Sequence, residues 1–261
     1  MKIIDSLTYH GRQMSRKTWD NFWNLFPAPE FNKITSLQKL HRALPRVRLP
    51  APAKEIPGWM SFREQRALYA LARFSPGPIL EIGSWLGRST VCIGRGIVDS
   101  GNKKEFLTCE LAPTMANYRY LPGNMVGFFY PPESEVNMGN APVELFENDI
   151  KPFVSHPRGI LGQLKDNLAA FNVSEAVSIF IGDFRNTPVK RYNFLFSDAM
   201  HSEKEIARNA PDLRRFLGQG SILACHDTTP ENEKYLRKYF QFGYFLQVDS
   251  LFVGEIESFK T

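Results

Sequence analysis

Several absences narrow the chain before any motif is read. No apolar run in the 261 residues is long enough to cross a membrane as a helix, which takes roughly 18 or more. The first residues, Met1-Lys2-Ile3-Ile4-Asp5, lack the apolar core and small-residue cleavage site of a secretory leader, so a cytoplasmic location is the expectation. Cysteine is scarce. Cys92, Cys109 and Cys225 are odd in number and widely spaced, which argues against a disulfide framework or a zinc site and fits buried free thiols in a reducing compartment. Internal repeats and low-complexity tracts are missing too.

What is present is ordinary in amount and uneven in placement. Apolar residues make up 43% and charged residues 23%, as in a soluble globular protein, and the length suits one α/β domain with an extension. The net charge is +5, yet residues 1–60 hold ten Lys/Arg against four Asp/Glu. The excess therefore lies in that arm, which fits either a solvated helical extension or an anionic partner.

Residues 76–90 organise the rest. Ile79, Leu80 and Ile82 form a short apolar run, as in a strand buried on both faces. Gly83 and Gly87 follow, then Ser89 and Thr90, then Val91, Cys92, Ile93 and Ile97 at helical spacing. Strand, glycine turn and helix make the nucleotide-binding first unit of a doubly wound α/β domain. A dinucleotide fold wants Gly-x-Gly-x-x-Gly so that the backbone can approach a pyrophosphate; Trp85 stands where its second glycine belongs. Glu81, just before the turn, would meet a cation better than a phosphate.

This stretch resembles motif I of the class I S-adenosylmethionine-dependent methyltransferases, acidic-x-Gly-x-x-x-Gly. The resemblance implies that Glu81 lies near the cofactor's ammonium end and that Gly83, Ser84, Gly87, Ser89 and Thr90 form the turn beneath it. Glu110 ends the second strand, 27 residues after Gly83, where a carboxylate can accept from both hydroxyls of a ribose. Asp183, after the third strand, matches by position the acidic residue that holds the adenine amino group.

The remaining chain reads as follows. Trp19, Phe22, Trp23 and Phe26 define one face of a helix, and a second helical piece runs over 36–44 before a proline-rich connection. Residues 1–57 are thus a basic, aromatic-rich helical extension, and 58–261 the methyltransferase domain. Ser61-Phe62-Arg63-Glu64 is a capping box opening a helix. Residues 111–157 break the strand–helix alternation; seven prolines and Tyr118, Tyr120, Phe128, Phe129 and Tyr130 suggest a long insertion acting as substrate lid or pocket wall. Strands follow at 176–181, 192–197 and 221–225, then a helix opened by Thr229 and Pro230 and a closing hairpin around Asp249-Ser250. The expected fold is a Rossmann-like, mostly parallel seven-stranded sheet with helices on both faces.

Glu81, Glu110, Asp183, Asp198, His201, His226 and Asp227 all fall at carboxyl ends of successive expected strands, the edge at which such sheets bind ligands. Asp198-Ala199-Met200-His201-Ser202 and the His226-Asp227 pair, with Ile56-Pro57-Gly58-Trp59 upstream, resemble the macrolide-sugar and aminocoumarin-sugar O-methyltransferases and their cephalosporin hydroxylase relatives. That resemblance spans about residues 56–256. It implies that Asp198 and Asp227 bind a divalent ion, Mg²⁺ or Mn²⁺, and that His201 is the base. His226 stands where the better-defined sites carry an acid, and is expected as a third ligand; a metal-free enzyme with a histidine base is the alternative.

The expected function is S-adenosylmethionine-dependent methylation of a hydroxyl on a small or glycosidic metabolite. The alternatives are a hydroxylase-like relative with the same metal pocket, or a non-catalytic protein that binds nucleic acid or another partner. No Asn/Asp-Pro-Pro-Tyr/Phe box follows the fourth strand, which argues against base N-methylation and a nucleic-acid substrate. The apolar arm fits a homo-oligomer.

Overall fold

The computed structural model describes residues 25–260. The aromatic face expected at Trp19, Phe22 and Trp23 lies outside them. Thirteen of the elements carry the fold, and they alternate as doubly wound domains do: α1 (Leu37–Ala43), α2 (Phe62–Phe74), β1 (Ile79–Ile82), α3 (Arg88–Ser100) and β2 (Phe106–Glu110) come first. After the insertion follow α4 (Gly159–Ala170), β6 (Ser178–Ile181), β7 (Phe194–Ser197), α5 (Glu203–Leu213), β8 (Ile222–Cys225), α6 (Pro230–Tyr239), β9 (Phe240–Val248) and β10 (Leu251–Phe259).

Seven strands form one sheet in the order β6-β2-β1-β7-β8-β10-β9. The pairings from β6 through to β8 are all parallel, and β10 lies antiparallel to both β8 and β9. β1 is central and buried along its whole length. Its alternating side chains serve opposite faces. Ile79 packs with α2, α3 and α4, while Leu80 and Ile82 pack with α5 and α6. The order of strands reverses between β1 and β7, so a crevice opens at their carboxyl ends.

Four of the six helices start where the sequence provides a side-chain cap. Ser61 accepts from the N–H of Glu64, and the Glu64 side chain accepts back from Ser61, a reciprocal box. Ser36, Ser202 and Thr229 cap α1, α5 and α6 in the same way with one bond each. All three cysteines are free and buried. Among the described residues, no helix is long and apolar enough to cross a membrane.

Two features go further than the reading of the sequence. Residues 37–56 of the extension dock on the main domain. Leu37, Leu40, Leu44, Val47, Ala53 and Ile56 are buried in the same core as Ile79 and Phe194, and His41 bonds Tyr244 of β9 at 2.7 Å. The insertion, in turn, is folded rather than irregular. It forms a second antiparallel sheet of β3 (Tyr118–Leu121), β4 (Met125–Phe129) and β5 (Asn137–Pro142), followed by a helical run over 143–154. Gly123 and Asn124, both at positive φ, turn β3 into β4, and two such residues between alternating aromatics are a hairpin signal.

α2 and α3 approach closely at Gly96. A methyl group there would stand 2.3 Å from the Tyr69 carbonyl oxygen and 3.0 Å from Ala72 Cβ. Backbone cannot yield as a side chain can. Gly96→Ala is therefore expected to destabilise the fold by about 1–3 kcal/mol, read as a fall in urea midpoint with an unchanged slope; an unchanged midpoint would show that the helices separate freely.

Candidate functional site

The strand ends are laced together by backbone bonds that extend the sheet one residue into the loops. Gly83 N–H donates to Cys109 O, Asp198 N–H to Ile82 O, Gly182 N–H to Glu110 O, and His226 N–H to Ser197 O, at 2.9–3.1 Å. These bonds place residues distant in sequence side by side. They border a cavity of about 590 Å³ whose walls include Gly83, Ser84, Ser89, Glu110, Asp183, Asp198, His201, His226 and Asp227. Its far wall is the small sheet, through Tyr118, Val126, Phe128 and Met138. A volume of this size suits a small molecule or cofactor.

At the β1 end, Glu110 grips the glycine turn. Its Oε2 accepts from Ser84 N–H at 3.0 Å, Trp85 N–H at 2.7 Å and Ser84 Oγ at 3.1 Å, and its Oε1 accepts from Ala112 N–H at 2.9 Å. Burial pushes the Glu110 carboxyl above its ordinary pKa, against the pull of those donors. Trp85 takes φ 48, rare for a bulky residue, and the two bonds to Glu110 help hold it there. Gly83, also at positive φ, comes so close to Asp198 that a methyl group would lie 3.1 Å from its carbonyl oxygen.

Not every residue of the glycine motif reaches the cavity. Gly87 is the N-cap of α3 at φ 95, left-handed backbone that favours glycine, and it lies against Leu164 of α4. Glu81 is fully buried, accepts from Thr90 Oγ1 at 2.7 Å, and leaves Oε1 without a partner. It and Thr90 stand behind the turn, not in the wall. Asp183 lines the cavity but spends its carboxylate on Arg185, through the Arg185 N–H at 2.9 Å and the guanidinium at 2.8 Å.

At the β7 and β8 ends the titratable groups converge. Ligand atoms of Asp198, His201 and Asp227 lie within 4.8 Å of one another. Two carboxylates and an imidazole are a donor set that divalent ions accept. His201 Nε2 is 3.1 Å from Asp198 Oδ1, and His201 N–H donates to Glu205 Oε2 at 2.9 Å. Burial opposes the imidazolium of His201, but the Asp198, Glu205 and Asp227 charges raise its pKa overall. Asp198 shows the converse: burial opposes its charge, yet His201 and His226 hold it well below the usual carboxylate range.

His226 does not join this set, contrary to expectation. It is 3% exposed, with Nδ1 3.1 Å from Asp198 Oδ1 and Nε2 3.5 Å from Glu64 Oε2. Burial disfavours its charge, but contacts with Asp198 and Glu64 win and raise it to about 10. Its Nδ1 also lies 3.6 Å from Asp227 Oδ1, so the His226 ring braces both aspartates from the β8 end.

Glu64 is the functional-site residue that sequence reasoning read only as a helix cap. Besides Ser61, it accepts from Ser250 N–H and Oγ, both at 2.7 Å, so it joins α2, β8 and the β9–β10 turn. The buried acid three residues into a helix, followed far downstream by a His-Asp pair, gives no local signal of such a contact.

The comparisons with known proteins agree with this geometry. Residues 80–228 match a family described as methyltransferase domain. The chain belongs to that family. No curated protein matches it. Among solved structures it is similar to an O-methyltransferase of Streptomyces achromogenes involved in tomaymycin synthesis and bound to SAM, at 15% identity and TM-score 0.47, over 94% of this chain and 100% of the other. An O-methyltransferase described from Klebsiella pneumoniae is similar at 14% identity and TM-score 0.48, over 93% of this chain and 99% of the other. A methyltransferase from Geobacter sulfurreducens gives 14% and 0.48, over 94% and 98%. As a methyltransferase of this family, the chain carries its mostly parallel sheet and its strand-end cavity in the Rossmann-like arrangement.

Glu81 yields a pH prediction for the apo methyltransferase. Burial, with the smaller push of Asp198, raises its carboxyl to about 7 from an unfolded value of 4.5. A raised acid stabilises the fold fully below its unfolded pKa and loses that contribution as pH rises through the folded one. Stability should thus fall between pH 4.5 and 7 by roughly 3 kcal/mol from this group. Glu81→Gln removes the titration. In denaturant unfolding the variant should match the parent near pH 4.5 and exceed it at alkaline pH; a gap independent of pH would show that Glu81 does not titrate in this range.

Proposed function

We propose that this protein is an S-adenosylmethionine-dependent O-methyltransferase acting on a hydroxyl of a small or glycosidic metabolite, with a divalent ion held by Asp198 and Asp227 and a proton taken by His201. The observation that carries the reading is the convergence of Asp198, His201 and Asp227 in the same cavity as the Ser84–Glu110 turn. One end of the cavity has the grip of a cofactor site, the other the donors of a hydroxyl-activating site.

The residues at the first end fit the cofactor. Glu110 and Asp183 offer carboxylates for ribose hydroxyls and an adenine amino group, at the cost of sharing them with the turn N–H groups and with Arg185. Glu81 places a buried carboxyl behind the turn, where a cationic ammonium and sulfonium would favour its charged form. When bound, S-adenosylmethionine supplies an electrophilic methyl group, and displacement in line with its carbon–sulfur bond demands an aimed oxygen nucleophile.

Asp198 and Asp227 can orient such an oxygen from the β7 and β8 ends. When bound, a divalent ion supplies charge that lowers the pKa of an acceptor hydroxyl. His201 is exposed toward the same space, and Asp198 and Glu205 fix its ring, as a general base requires. Its Nε2 is also within ligand reach of the two aspartates, which favours a second reading in which His201 is the third ligand. His226, through its 3.1 Å contact, keeps Asp198 in place under either reading.

Calorimetric titration with S-adenosylhomocysteine, then with Mn²⁺, tests both ends. Glu110→Ala should weaken the first binding at least tenfold, and Asp198→Ala should abolish the second. His201→Ala separates the two readings: retained Mn²⁺ binding marks a base, lost binding a ligand. Folded protein that takes up no S-adenosylhomocysteine would refute the methyltransferase activity.

A further inference from the structure

Three arginines line the cavity, and two of them are committed to the protein. Arg88 donates to the carbonyls of Ile56, Gly58 and Met60, fastening the strap that leads into α2. Arg185 pairs with Asp183 and Asp212. Arg208, on α5, is the exception. Its Nε is buried without a hydrogen-bond partner. One terminal nitrogen reaches only Met138, at 3.5 Å to the carbonyl oxygen and 3.3 Å to the sulfur, at the outer limit of a hydrogen bond. Among the described residues no carboxylate lies within ion-pair distance of it.

A carboxylate was available and is used elsewhere. Glu205 stands one turn earlier on the same helix, where ion pairs with Arg208 are usual. Its Oε2 instead accepts from His201 N–H at 2.9 Å and Ser202 Oγ at 3.1 Å. Arg208 thus keeps most of its planar fork of donors free in a half-buried wall. The buried, unpartnered Nε is costly to leave unfilled, and a guanidinium fork matches carboxylate or phosphate oxygens two at a time.

We propose, resting on the methyltransferase reading above, that Arg208 recognises the acceptor: the molecule that is methylated carries an anionic group, carboxylate or phosphate, which Arg208 receives while its hydroxyl lies at Asp198, His201 and Asp227. Arg208 is six residues beyond Ser202, the cap of α5, and lines the same cavity as Asp198, His201 and Asp227, so one small ring-bearing metabolite can meet both. Phe128 and Met138 line the cavity with them and give the ring an apolar wall.

The test uses the full chain saturated with S-adenosylhomocysteine and titrated with benzoate, phenyl phosphate and benzyl alcohol, as parent and as Arg208→Gln. The parent should bind one anion at least tenfold more tightly than benzyl alcohol, and the better anion identifies the acid group. In Arg208→Gln that preference should disappear while S-adenosylhomocysteine affinity stays within about twofold. A parent that does not prefer either anion, including one that binds none of the three probes, overturns the proposal. So does a preference that survives the substitution. A tenfold loss of S-adenosylhomocysteine affinity in folded Arg208→Gln would assign Arg208 to the cofactor's own carboxylate and overturn it too. Absence of S-adenosylhomocysteine binding in the parent would instead sink the reading on which it rests. Circular dichroism checks the fold; if Arg208→Gln is unfolded, Arg208→Lys, which keeps the charge and loses the fork, should lose most of the anion preference, and full retention there overturns the proposal.

Discussion

The site depends on one buried imidazole. His226 stands between Asp198 and Glu64, with its two nitrogens 3.1 and 3.5 Å from their oxygens. Four elements meet there: the start of α2, the ends of β7 and β8, and the β9–β10 turn that reaches Glu64 through Ser250. Enclosing a charge is favourable only when its partners are well placed, and stripping away one partner of such a group typically costs about 3–5 kcal/mol. The consequence is positional. Asp198 is fixed from behind by His226, so its remaining oxygen and the neighbouring Asp227 and His201 face the cavity from a rigid base.

The other end is fixed by a buried carboxyl group. Glu110 gathers the N–H groups of Ser84, Trp85 and Ala112, so the glycine turn is shaped by the end of the adjacent strand as well as by its own glycines. A carboxylate with several N–H partners is a rigid template for a turn. Between the two ends lies a cavity walled by the small sheet, whose Tyr118 packs on Phe128 and Phe146 with ring centres 5.3 and 5.0 Å apart. The two halves of the chemistry are thus positioned by buried ionisable groups, and the insertion encloses the space between them.

Much of the frame was legible because its signals are local. The apolar run 79–82 with its following glycines, the capping boxes and caps at Ser61, Ser202 and Thr229, and the hairpin around Asp249-Ser250 each depend on a few neighbouring residues. Strand-end acids could be picked out since a parallel sheet gathers its carboxyl ends along one edge. The insertion was harder. Its prolines and glycines suggested an irregular loop, whereas the Gly123-Asn124 turn and the alternating residues around it fold into a sheet of their own. The extension was legible only in part: composition shows that Leu37, Leu40 and Ile56 need burial, and cannot show that the core of the main sheet supplies it.

By itself, then, the sequence determined the alternation of strands and helices, the order of the strand-end acids and imidazoles, and the cavity edge to which they belong, since periodicity, caps and turns act over a few residues. Only the tertiary structure decided their positions and contacts. It turned His226 inward to Glu64 and left His201 beside Asp198 and Asp227. It set Glu81 and Gly87 behind the turn, and it left Arg208 facing the cavity without a carboxylate. Those outcomes depend on contacts between residues up to 186 positions apart, and on which partner wins when several groups compete for one buried charge.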